Sequence, residues 1–187
     1  MNQEDRLEQK LLSIYSMVYD LQKFAETKNA AIFTLSAAAI TAIFSFLAST
    51  YKILPFPWKI GLVTASVLFG ISALLSIVSS LPARRGQYPR YGDPFDDDNF
   101  FYFGDLCKYS PNELVESIIK HYLPDTPYHR SHVDLADQII NHARITKRKF
   151  DFARRAVWFI FAASCSLLGV PILIYLIQWL AQGGALV

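Results

Sequence analysis

The chain has 187 residues, 52% of them hydrophobic and 18% charged, with a formal net charge of +2. That apolar content is high for a water-soluble domain of this length, and so small a net charge gives no argument for a nucleic-acid partner. Two cysteines, Cys107 and Cys165, lie in segments of opposite polarity and exclude a disulfide framework.

Residues 1–53 contain neither proline nor glycine. Within them Leu7, Leu11, Ile14, Val18, Leu21 and Ala25 recur at alternating spacings of four and three, opposed by Glu4, Arg6, Glu8, Lys10, Asp20 and Lys23. This predicts an amphipathic helix over residues 1–29. Its stripe fits either packing on the protomer's own helices or a short oligomer-forming seam.

Three charge-free runs follow, and an apolar stretch of about 20 residues suffices to cross a bilayer as a helix. They predict transmembrane helices over 30–51, 60–81 and 156–181. Sixteen of the eighteen Lys and Arg residues lie in residues 1–28 and 84–155, and only Lys52 and Lys59 lie in the turn "YKILPFPWK". By the positive-inside rule, the N-terminus and residues 82–155 face the cytoplasm, while the turn 52–59 and the tail 182–187 face outward. The 28 residues before the first run argue against a signal peptide.

Small residues fall in rows at spacing four: Ala30, Thr34, Ala38 and Ala42; Ala37, Thr41, Ser45 and Ser49; Ser72, Ser76 and Ser80. Such rows let helix backbones approach closely in lipid. Pro171, after Gly169, is expected to kink the third span. No Asp, Glu, Lys, Arg or His lies within a span, which argues against an ion-coupled carrier. Three helices cannot enclose a polar pore alone, so a permeabilising function implies a homo-oligomer or disordered lipid.

Between the second and third spans, "SPNE" at 110–113 forms a complete helix start, with Ser110 as N-cap, Pro111 next and Glu113 able to reach back. Ser131 and Asp134 repeat the form, and a single helix is predicted from there into the third span. Nothing alternates like a strand. The fold class is all-α membrane protein, with three transmembrane helices, two of them continuing into the cytoplasm, and a small helical insert.

The chemistry of the insert is sparse. His121, His129, His132 and His142 lack zinc-site spacing, and Asp96, Asp97 and Asp98 lack the glycine and glutamate of a calcium loop, so that run reads as a solvated turn near the basic residues 144–155. Phe100, Phe101 and Phe103 read as anchors of the insert, and Gly104 as the site of a sharp turn. No nucleophile elbow, P-loop or dinucleotide fingerprint occurs, and an enzyme is not expected. The basic stretch "HARITKRKFDFARR" reads as a contact with anionic lipid headgroups, not with nucleic acid.

Three segments then combine. "FAETKNAAIFTLSAAAI", "NFFYFGDLCKYSPNEL" and "LADQIINHARITKRKF" are similar in order and spacing to the A-D-x-K-A, N-x-x-x-F-G and L-x-x-Q…K-[YF] segments of the Pycsar transmembrane effectors. Glu26 stands where that family usually has Asp, and Asn29 where it has Ala. The resemblance implies a bacterial anti-phage effector of the inner membrane, silent until a cognate cyclase makes the cyclic pyrimidine nucleotide cUMP or cCMP. Activated, such an effector impairs membrane integrity and causes growth arrest or cell death. No prosthetic group is implied. The alternatives are a non-enzymatic membrane adaptor, or an effector answering a different cyclic nucleotide.

The resemblance does not locate a nucleotide site. A cyclic monophosphate calls for cations near its phosphate and an aromatic face for its base. Arg84, Arg85, Arg90, Lys108 and Arg130 are candidates for the first role, and Tyr102 and Phe103 for the second.

Overall fold

The computed structural model describes residues 3–82 and 88–181, and every regular element among them is helical. These are α1 (Gln3–Thr50), α2 (Phe56–Ser80), α3 (Phe103–Leu106), α4 (Pro111–Tyr122) and α5 (Arg130–Ala181). Three of them, α1, α2 and α5, are long and apolar enough to cross a membrane. α2 begins inside the expected turn 52–59, because Pro57 falls in its first turn, where a missing N–H costs no helix hydrogen bond.

The chain divides into two compact units, one of Met1–Thr27 with Leu81–Asp151, the other of Lys28–Ser80 with Phe152–Val187. The divisions fall close to the ends of the charge-free runs. Both α1 and α5 contribute residues to each unit.

In the first unit, Leu7, Leu11, Ile14 and Val18 of α1 are fully buried in one core with Leu114, Val115 and Ile118 of α4 and Ala136, Ile139, Ile140 and Ala143 of α5. These four positions of the heptad-like stripe are thus buried within the protomer, the first of its two expected uses. Ser110 caps α4 as the sequence predicts, with the Glu113 N–H donating to Ser110 Oγ and the Ser110 N–H to the Glu113 carboxylate. α5 starts two residues earlier than expected. The N–H of His129 donates to His132 Nδ1 at 3.1 Å, so a histidine ring takes the reach-back role, and Ser131 lies inside the first turn.

The second unit packs differently. Ser36 Oγ donates to Ser72 Oγ at 3.2 Å, and Ser72 Oγ donates to the Ala156 carbonyl at 3.0 Å, joining α1, α2 and α5. Gly61 meets Pro171: a Cβ there would lie 3.0 Å from the proline Cδ, so the absence of a side chain sets this close approach. α5 remains helical through Pro171. Of the rows of small residues, Ser72 and Ser76 are buried, but Ala30, Thr34, Ala38 and Ala42 line no buried face, and Thr34 and Thr41 bond the carbonyls of Ala30 and Ala37 in their own helix, which satisfies them without a neighbour.

Candidate functional site

Residues 88–109, an irregular strap apart from α3, are fastened to α5 by the basic residues of "HARITKRKF". The Arg144 guanidinium donates to the carbonyls of Tyr109 at 3.1 Å and of Cys107 and Tyr88 at 3.4 Å. Lys147 lies 4.6 Å over the Tyr91 ring, and Arg148 donates to the Tyr88 hydroxyl. Lys149 pairs with Glu26 at 2.6 Å. Of the basic residues expected at lipid headgroups, these four are engaged inside the first unit. Arg154 and Arg155, in the second unit, are exposed.

The acidic run divides as well. Asp98 accepts the Phe95 N–H at 2.9 Å and binds Lys108 at 2.5 Å, with its side chain only 5% exposed. Asp96 pairs with Lys120, and Asp97 is exposed, so only these two behave as a solvated turn. Neither Asp96 nor Asp98 is paired with residues 144–155. Burial alone raises the Asp98 pKa, but the Lys108 ammonium and the Phe95 N–H outweigh it, and the net shift is downward. Gly104 lies within α3, and the one described glycine at positive φ is Gly92. A Cβ at Gly104 would lie 2.4 Å from the Tyr102 ring, so close packing against that ring explains the glycine better than a turn does.

The predicted ligand residues that are described have the following partners. Arg90 donates to the Gly92 carbonyl and pairs with Glu113 at 3.2 Å, reinforcing the α4 cap. Lys108 bridges Asp98 and Asp105, whose carboxylates raise its pKa. Phe103 stacks on Phe150 at 5.3 Å, while Tyr102 beside it is half-exposed. Arg84 and Arg85 lie outside the described residues. Among the described five, Tyr102 and Phe103 pack on each other, while Arg90, Lys108 and Arg130 each hold a different carboxylate.

Arg130 does line a cleft. Its walls are Pro111 of α4 and Arg130, Val133, Asp134, Asp137, Asn141 and Arg144 of α5, enclosing about 370 Å³. The polar residues of α5 here follow spacings of four, three, four and three, the period of one helix face. That stripe is visible in the sequence, but its mixed charge hides it among ordinary solvated positions. Arg130 also pairs with Asp134 at 3.1 Å.

Among the described residues, no three His, Cys, Asp or Glu side chains are arranged to hold a metal ion. Cys107 is buried, and burial pushes its thiol up to about 12, which keeps it protonated and unreactive.

The three segments quoted above meet in the first unit. Phe24 approaches Phe150 at 6.2 Å, Glu26 pairs with Lys149, and Phe103 stacks on Phe150 from the other segment. Lys149, hydrogen-bonded to Glu26, holds that carboxyl below its ordinary value. A family model described as the Pycsar effector protein domain, PycTM, matches residues 10–177. The chain belongs to this family. It is 30% identical over 173 residues to the Pycsar effector protein RsPycTM of a Rhizobium species, covering 88% of this chain and 94% of that protein. No solved structure gives a significant match. The three segments thus converge on Lys149 and Phe150, where Glu26 pairs with Lys149.

Proposed function

We propose that this PycTM protein is an anti-phage effector of the bacterial inner membrane, activated by a cyclic pyrimidine mononucleotide, cUMP or cCMP, from a cognate cyclase. The N-terminus and the first unit face the cytoplasm, where the nucleotide is made. Binding there favours one packing of α1 against α5. Because both helices continue into the second unit, the same shift changes the membrane-crossing bundle. The activated protein, as an assembly of copies, impairs membrane integrity and stops growth before phage mature.

The observation that carries this reading is the continuity of α1 and α5, which each place residues in both units of a Pycsar effector chain. A population shift needs a ligand with different affinities for two states, and a shared helix gives such a difference a route. The test is membrane depolarisation and dye uptake in cells expressing the chain. Supplying cUMP or cCMP through an inducible cyclase is expected to trigger both signals. Equal signals with an active and an inactivated cyclase would refute the proposal.

A further inference from the structure

Resting on that reading, we propose that the nucleotide binds in the cleft between the start of α4 and α5. Its phosphate lies on Arg144 and Arg130, and its hydroxyl and base groups lie on Asp137 and Asn141. At about 370 Å³ the cleft is at the lower end of small-molecule sites, which run from roughly 300 to 1,000 Å³. It suits one nucleotide and is small for a cyclic dinucleotide.

Arg144 is the central group. A guanidinium has five N–H donors, and three bonds to backbone carbonyls leave donors for an occupant of the cleft. Those carbonyls are neutral, so no carboxylate among these partners balances its charge. The end of α4 contributes little to anion binding. Its capping box occupies the N–H groups of Ser110 and Glu113, and Pro111 has none.

The charge balance narrows the ligand further. Two guanidinium groups and two carboxylates line the cleft, so a bare anion such as inorganic phosphate would face Asp134 and Asp137 as well as the arginines. A good ligand carries one negative charge and also hydrogen-bond donors for the acidic side. A 3′,5′-cyclic phosphodiester meets this description, with one charge, a free 2′-hydroxyl and base N–H groups. Pro111 and Val133 supply an apolar wall for a single ring.

A regulatory consequence follows from the shared guanidinium. An occupant held by Arg144 fixes the residue that fastens Tyr88, Cys107 and Tyr109 to α5, so ligand binding tightens the strap.

The test uses the full chain in detergent micelles, titrated calorimetrically with cUMP, cCMP and inorganic phosphate. Variants Asn141→Leu and Asp137→Asn remove cleft partners, and Lys120→Ala, whose partner is Asp96, is the comparator outside the cleft. Each cleft variant is expected to weaken nucleotide binding about tenfold or more, Lys120→Ala to leave it unchanged, and phosphate to bind negligibly. Wild-type binding matched by both cleft variants would overturn the cleft assignment while leaving the proposed function standing. A wild-type chain that binds neither nucleotide would overturn both. Hydrogen exchange on the wild type keeps the test independent of variant folding: the nucleotide is expected to protect residues 130–144 and 88–109, and unchanged exchange there contradicts the cleft.

Discussion

In the first unit the residues with no exposed surface include Leu7, Leu11, Ile14, Leu114 and Ile118, whereas in the second they are Ser36, Ala65, Ser72, Ala153, Ala156 and Ala163 among the described residues. Many large side chains of the second unit point outward, with Phe44, Leu74 and Leu168 each 61% exposed and Trp158 66% exposed, although Ile43, Leu62 and Phe69 are buried. One unit is organised as water requires, by removing apolar area from solvent. In the other, lipid already solvates apolar side chains, so close backbone approach and hydroxyl hydrogen bonds organise the interior instead.

The sharpest way to break this contrast is to truncate the same kind of side chain in each unit. Ile118→Ala is expected to cost about 2–5 kcal/mol, because it removes a fully buried side chain from the core of α1, α4 and α5. Leu168→Ala, at an exposed site of the second unit, is expected to change stability by no more than about 0.5 kcal/mol. Thermal unfolding of the detergent-solubilised protein measures both. Similar losses would remove the distinction.

A second substitution probes the other kind of interior. Ser72→Ala deletes the hydroxyl that joins α1, α2 and α5, and the expected cost is roughly 0.6–1.7 kcal/mol. The same unfolding assay checks it.

Acidification separates the units without mutation, because the second contains no Asp, Glu or His. Burial depresses the pKa of His142 below its ordinary 6.5, so the stability linked to its neutral form is full above that value and is lost as pH falls through the folded pKa. The lowered carboxyls follow further down: Glu26 and Glu113 below 4.5, and Asp98 below 3.8. Glu113 owes its shift first to the Ser110 N–H. Protection against hydrogen exchange, taken relative to the intrinsic rate at each pH, is therefore expected to fall in α4 and in residues 88–109 as pH falls from neutrality through the carboxylate range, with little change in α2. Simultaneous loosening of α2 would count against this account.

The smallest expected effect is at the α4 cap. Arg90→Ala removes a partly exposed ion pair with Glu113, and its cost is expected to stay below about 1 kcal/mol in the same unfolding assay.

The sequence reveals the two interiors unequally. Charge-free runs give the membrane-crossing helices, and the stripe from Leu7 to Val18 gives the face of α1 that is buried, since in water hydrophobicity sets a helix's rotation. In lipid it does not. Both rows of small residues on α1 look equally suited to packing, yet Ser36, outside either row, is the residue that meets Ser72. The roles of Arg90 and Lys108 were hidden for a different reason: their partners depend on the path of an irregular strap, which no periodicity encodes. The cleft lies between these cases. Its polar stripe has helical spacing, but recognising it requires knowing that Pro111 closes the opposite wall.

The central claim, that a cyclic pyrimidine mononucleotide gates this membrane protein, is tested most directly with purified chain in liposomes loaded with a self-quenching dye. Micromolar cUMP or cCMP is expected to release the dye, while cAMP and cGMP leave it enclosed. Release that is the same with and without cUMP and cCMP would contradict the account.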